Sequence, residues 1–260
     1  MKSEEGHALI GGFQVEYAGY SDTGRVRSIN EDDFLLLPEK GVFCLADGLG
    51  GLEKGEVASV IALESIRTLL SAAGRHGFLS FSNKNFSLQQ MIHHANTIVY
   101  EKRQKLKLNT ATTMVIVQIH DHTAEVGHVG DSRAYRWDGN SLLHCTRDHS
   151  LVEELYRKEG LSEEQLLNHP QRHIITRAVG AGKEVKANIQ GLDIQGGNLV
   201  MLCSDGLTTM LAHDEIESIL RRYHPDVNQA GRALITAANE AGGRDNITVV
   251  LLHIAEGSYH

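Results

Sequence analysis

The chain is short of cysteine, of basic charge and of long apolar runs, and each shortage closes off a class of protein. Among its 260 residues are three cysteines, Cys44, Cys145 and Cys203. The odd count and the lack of any C-x-x-C pair argue against a disulfide framework or a zinc knuckle. Cys44 and Cys203 lie inside apolar runs and read as small buried hydrophobes. Lys and Arg number 25 against 33 Asp and Glu, a formal charge of −8. A nucleic-acid binder would usually present a basic face, so that class is disfavoured. No run approaches the roughly 18 apolar residues that a membrane span needs. The opening MKSEEGHALIGGF has no long apolar core behind a basic start and does not read as a secretory signal. A cytoplasmic protein is expected, with neither membrane nor nucleic acid as partner. What remains, 41% hydrophobic and 22% charged, is the composition of an ordinary globule, one domain rather than two.

The most informative feature present is a set of four aspartates at the ends of apolar runs. They are Asp47 in VFCLADGLGG, Asp131 in EVGHVGDSRAY, Asp205 in LVMLCSDGL and Asp245 in GGRDNITVV. A carboxylate at a buried strand end is costly unless something positive meets it. One such acid could be a turn residue with Gly supplying positive φ. Four suggest a shared destination, and the economical partner is a pair of hard divalent cations that prefer oxygen ligands.

Periodicity supplies the frame. Strand patterns cover Phe13 to Tyr20, Asp33 to Leu37 and Val42 to Ala46. A helix is expected from Glu56 to Ala73, a loop from Gly74 to Phe86 and a second helix from Leu88 to Lys105. Strands return at Thr112 to Ile119, Ala124 to Val129, Ala134 to Trp137 and Leu142 to Cys145, the last two joined by an Asp138-Gly139-Asn140 turn. Thr146 to Gly180 is polar and reads as an insertion over the sheet. Strands near Val185 to Leu192 and Leu199 to Cys203 follow, then helices near Asp214 to Arg222 and Asp226 to Ala241, and a strand from Ile247 to Ile254. Grouped strands with paired helices predict an α+β fold, two packed antiparallel sheets with helices outside.

Two metal ions a few ångströms apart can share a carboxylate, clamp a water and lower its pKa, which suits phosphate-ester hydrolysis. Asp47 with Gly48 is the best bridging candidate, because glycine permits close approach and offers its carbonyl oxygen. Arg27, near Glu31, Asp32 and Asp33, could bind a phosphate bidentately. A surface pairing with Glu31 explains Arg27 equally well.

The ordered set RVRSINEDD, ADGLGG, GEVAS, TATT, HVGDSRAY, TRDHS, LCSDGL and GGRDNITVV resembles the metal-dependent Ser/Thr protein phosphatases of the 2C type, the PPM family, in their compact bacterial form. The resemblance covers about residues 13 to 255, taken as a single domain behind an extension of residues 1 to 12. It implies a four-layer α-β-β-α sandwich with a binuclear Mn²⁺ or Mg²⁺ site. It also implies hydrolysis of phosphoserine and phosphothreonine on proteins by a hydroxide bridging the ions, without a phosphoenzyme. By the same resemblance Asp47 bridges both metals and Gly48 gives a carbonyl ligand. Asp205 and Asp245 hold the first metal and Glu31 the second. Asp131 with Asp205 holds a third ion in bacterial relatives, Asp32 and Asn246 support from outside, and Arg27 binds phosphate. The segment Thr146 to Arg177 resembles the family's flap. Substrates would be proteins phosphorylated by a Ser/Thr kinase, met by a monomer. The chain departs at Leu49, where many eukaryotic relatives carry a histidine proposed as general acid.

Other readings carry less. Ser132 in GDSR could begin a serine esterase, but no D-x-x-H or G-x-S-x-G occurs. His169 and His173 are spaced like helical metal ligands, yet Pro170 lies between them and no third ligand is evident. No G-x-x-x-x-G-K-[ST] motif is present. A phosphoprotein-binding pseudophosphatase would usually have lost acids that this chain keeps. A small-molecule phosphatase on the same fold would differ only in flap and surface.

Overall fold

The computed structural model describes residues 1–50, 54–72, 86–159, 170–171 and 174–255. Two antiparallel sheets stack face to face. In the first, β1 (Lys2–Ile10), β2 (Phe13–Asp22), β12 (Ile247–Ile254), β11 (Leu199–Cys203), β8 (Arg133–Trp137) and β9 (Leu142–His144) lie in that order. In the second the order is β10 (Asn188–Leu192), β7 (Thr123–Val129), β6 (Met114–His120), β4 (Val42–Leu49) and β3 (Asp32–Leu37), with β5 (Ala111–Thr112) on the end of β4. Helices α1 (Gly55–Ala72) and α2 (Leu88–Leu106) cover the second sheet. Helices α5 (His213–Tyr223) and α6 (Val227–Glu240) cover the first. Two shorter α-helices, α3 (Leu151–Glu159) and α4 (Asp205–Thr208), and a single 3-10 turn at Pro38–Lys40 complete the helices among the described residues. The result is the expected helix–sheet–sheet–helix sandwich.

Each layer follows from local chemistry. β12, ITVVLLHI, is buried at every position because it lies inside one sheet with a sheet on one face and helices on the other. Its Val250, Leu252 and Ile254 join Phe43, Leu45, Val115 and Val117 of the second sheet in the central core. At the start of α2, Ser87 and Gln90 cap each other's backbone N–H groups, which fixes the helix where the sequence places it. The Asp138 carboxylate accepts the N–H groups of Asn140 and Ser141 at 2.9 Å each, making the expected hairpin turn. No helix among the described residues is long and apolar enough to cross a membrane.

Three details differ from the sequence reading. Residues 2–10 form β1, an edge strand paired with β2 throughout. It is joined to β2 through Gly11-Gly12, both at positive φ (54° and 90°), and this Gly-Gly pair ahead of a strand-like run is the sequence signal for the turn. The expected strand Thr112 to Ile119 is broken at Thr113, whose N–H and hydroxyl are diverted to the Asp47 backbone. The run expected near Val185 to Leu192 is shorter and begins at Asn188. The expected loop Gly74 to Phe86 lies almost wholly outside the described residues, as do His169, His173 and much of the flap-like segment 146–177.

Candidate metal centre

The strand ends bring acids from both sheets to one end of the sandwich. Asp32 and Asp47 are directly opposed across β3 and β4. Like charges opposed on neighbouring strands destabilise a sheet, so this register needs compensation. Asp205 begins α4 immediately beyond β11, and Asp245 precedes β12, the strand paired with β11. Asp131 follows β7 in the short connection to β8.

The electrostatics show the convergence. Burial pushes the Asp47 carboxyl well above its ordinary value, and the charges of Asp32, Asp205, Asp131 and Asp245 push it further. Asp32 is pushed up to about 7, first by burial and then by Asp205 and Asp245, against hydrogen bonds from Ser204 and Thr248. Asp131 is likewise pushed up to about 7, by burial and then by Asp205 and Asp148. Asp32, Asp47 and Asp131 are thus each made harder to ionise by neighbouring carboxylates, Asp205 among them in every case.

Hydrogen bonds set each acid in place. The Asp47 N–H donates to Thr113 Oγ1 at 3.0 Å, and its carbonyl accepts from Thr113 N–H and Thr112 Oγ1 at 2.8 Å each. Ser204 Oγ donates to Asp32 Oδ2 at 2.7 Å and accepts from Thr248 N–H at 3.0 Å. Glu31 is gripped at three points. Its N–H donates to Asn246 Oδ1 at 2.8 Å, its carbonyl accepts from Ser59 Oγ at 2.6 Å, and its Oε1 accepts from Gly55 N–H at 2.8 Å. Gly48 packs so tightly here that a Cβ would stand 2.3 Å from the Gly55 carbonyl oxygen. Any larger residue would force β4 away from α1.

Arg27 reaches this cluster. Its Nη2 donates to Asp245 Oδ2 at 2.9 Å, and its Nη1 stands 4.0 Å from Glu31 Oε2. The guanidinium is held more firmly protonated than usual, mainly by the Asp245 hydrogen bond, with Glu31 and Asp47 adding to it. Both readings of Arg27 meet here, for it lies beside Glu31 and also within the acid cluster.

The family is decided by comparison with known proteins. The sequence matches protein phosphatase 2C over residues 23–241. The chain belongs to the protein phosphatase 2C family. It is 36% identical over 239 residues to the "Serine/threonine phosphatase stp" of Listeria monocytogenes serotype 4b, covering 89% of this chain and 93% of that one. Stp1 of Staphylococcus aureus, a serine/threonine phosphatase of known structure, is 29% identical with a TM-score of 0.80 over 98% of this chain and 100% of that one. The catalytic domain of the serine/threonine protein phosphatase PstP, solved with two manganese ions, is 28% identical with a TM-score of 0.76 over 93% and 99% of the respective chains. Membership in this family makes the chain a protein Ser/Thr phosphatase, a hydrolase, and implies a dependence on Mn²⁺ or Mg²⁺.

The donor set fits hard cations in its chemistry: all are oxygens, and their mutual repulsion is relieved only by positive charge. One atom points the same way, because Asp131 Oδ1 is buried without a hydrogen-bond partner among the described residues. As the side chains stand, no three His, Cys, Asp or Glu groups among the described residues are close enough to hold an ion.

The 2C motifs also contain supporting residues to which sequence reading gave no role. Thr112 and Thr113 of TATT fasten the Asp47 backbone, and Gly55 and Ser59 of GEVAS fasten Glu31. Asp148 of TRDHS takes a forked pair of bonds from Arg133 of GDSR, at 3.0 Å from Nε and 2.6 Å from Nη2. The neighbouring His149 exchanges two hydrogen bonds with Gly130, so the loop bearing Asp131 is held from behind. Ser132 shares a 2.7 Å hydrogen bond with Thr113 rather than with a histidine, which leaves the esterase reading without its base. His128, buried near the end of β7, stacks on His149 at 4.7 Å.

Proposed function

We propose that this phosphatase removes phosphate from serine and threonine residues placed by a Ser/Thr kinase, in one displacement at phosphorus and without a phosphoenzyme. The observation that carries the reading is the electrostatic coupling of Asp32, Asp47, Asp131 and Asp205 with Asp245, which bears Arg27. Asp47, Asp205, Asp245 and Glu31, with the Gly48 carbonyl, would hold two Mn²⁺ or Mg²⁺ ions, and Asp131 with Asp205 a third. When bound, such ions supply an activated water and positive charge at the phosphoryl group.

The chain's own residues do the rest. Arg27, its side chain 45% exposed, can turn from Asp245 to the phosphate oxygens and orient the ester for in-line attack. Asp32 and Asn246 keep β3, the Glu31 backbone and the start of β12 in fixed relation. Leu49 has no proton to give, so the leaving alkoxide takes its proton from water or another group. A phenolic leaving group is less basic and suffers less from that gap. The catalytic unit spans residues 13–255, acting as a monomer. The test is hydrolysis of phosphothreonine peptides and p-nitrophenyl phosphate by metal-free protein as Mn²⁺ is added. Turnover is expected only with metal, and folded protein that stays inactive across the titration would favour a phosphoprotein-binding role.

A further inference from the structure

The loop that carries Arg27 is both exposed and fixed. All five residues from Arg25 to Ile29 are exposed. Their backbone is nonetheless stitched to the segment before β12. The N–H groups of Arg25 and Val26 donate to the Gly243 carbonyl at 2.7 and 3.3 Å. Asn246 Nδ2 donates to the carbonyls of Thr23 and Ile29 at 2.9 Å each. The stem of Arg25 lies against Gly243, where a Cβ would stand 2.8 Å from Arg25 Cγ. Arg244 follows at once and is exposed. Three arginines, Arg25, Arg27 and Arg244, therefore sit on two joined segments at the edge of the acid cluster.

Their partners differ. Arg27 has Asp245 and Glu31. Arg25 and Arg244 form no ion pair with any carboxylate among the described residues. Two guanidiniums without an ion pair therefore flank the phosphate-binding arginine in a chain of net charge −8. That overall charge repels extended polyanions, whereas a short segment with a few carboxylates can meet the local positive edge.

We propose that Arg25 and Arg244 form a cationic rim selecting phosphorylated segments that carry acidic residues next to the phosphoserine or phosphothreonine. The inference rests on the reading of Arg27 as the phosphate-binding residue and adds which flanking residues the enzyme reads. The rim acts on binding, not on the displacement at phosphorus.

The experiment compares three phosphothreonine peptides of equal length with Glu, Gln or Leu flanks, using the Mn²⁺-loaded full chain. At low ionic strength kcat/KM for the Glu peptide should exceed that for the Gln peptide by about fivefold, the size that two exposed ion pairs supply. The difference should lie in KM, fade in high salt, vanish in R25Q/R244Q and persist in R25K/R244K. The salt titration uses only unaltered protein, so it stands even where a variant folds poorly. Equal rates on Glu and Gln peptides, or a preference that survives R25Q/R244Q, would overturn the rim while leaving the phosphatase reading intact. A preference for Leu flanks would overturn it too, and would move the role to Val26 and Ile29, which are 69% and 55% exposed. No turnover of any peptide or of p-nitrophenyl phosphate would overturn the phosphatase reading and the rim with it.

Discussion

Asp32 and Asp131 belong to one acid cluster and are both pushed up to about 7, yet their surroundings are built differently. Around Asp32 the polar groups are closed in a chain: Ser204 bonds its carboxylate, Thr248 N–H bonds Ser204, and Thr248 Oγ1 shares a 2.7 Å bond with Ser21. Around Asp131 the backbone is anchored through Gly130 and His149, but the buried Oδ1 has no partner among the described residues. The first region ties two sheets together. The second holds an acid that Arg133 only partly compensates and whose Oδ1 no donor meets among the described residues. Burial alone therefore does not distinguish the two acids; the completeness of their hydrogen bonding does.

The comparison can be broken most forcefully at Asp205, which acts on both regions. Asp205→Asn should lower turnover of p-nitrophenyl phosphate by roughly two to three orders of magnitude, the size of losing one element of charge stabilisation, with circular dichroism unchanged. Near-normal turnover would separate the two regions functionally. Arg27→Ala should reduce kcat/KM by about 10- to 100-fold, mostly through KM, as expected for losing a charge-assisted bond to phosphate. Kinetics equal to the unaltered protein would leave Arg27 only its pairing with Asp245.

Ser204→Ala sharpens the contrast in stability. It strips the bond to Asp32 and leaves Thr248 N–H unsatisfied, costing about 2 kcal/mol and lowering Tm by about 4–8 °C. Asp131→Ala should act in the opposite sense, leaving the metal-free Tm equal or higher while reducing turnover by about tenfold or less. An unchanged rate at saturating Mn²⁺ would remove Asp131 from the metal centre.

The pH dependence concerns both regions at once. A carboxyl that keeps its proton to about 7 when folded, against an ordinary value of 3.8, favours the folded state at low pH. That contribution is complete below about pH 4 and is lost as pH rises through 7. Chelated protein should therefore melt a few degrees higher at pH 5.5 than at pH 8, and Mn²⁺ should abolish the difference. A metal-free Tm that rises with pH over this range would contradict the raised values.

Much of this was legible in the sequence because it is local. The apolar runs before Asp131 and Asp205 mark where β7 and β11 stop, although β4 runs on past Asp47 to Leu49, and the grouping of strands and helices gives the layers. The partnerships were not legible. Ser204 and Asp32 lie 172 positions apart, and Arg27 and Asp245 lie 218 apart. Only folding brings them into contact, and a serine before an aspartate gives no hint of whose carboxylate it will meet. The strand β1 escaped for the opposite reason. Its exposed, polar residues show little apolar alternation, and its placement depends on the Gly11-Gly12 turn and on β2.

The most direct measurement is calorimetric titration of Mn²⁺ into metal-free protein near pH 6.5, in two buffers of different ionisation enthalpy. Asp32 and Asp131, pushed up to about 7, are partly protonated there, so binding at least two ions should release protons, and the apparent enthalpy should differ between buffers. Asp47→Asn should abolish the binding. Saturation without proton release, or no binding heat with Tm unmoved by Mn²⁺, would contradict the claim that these acids form one site for cations.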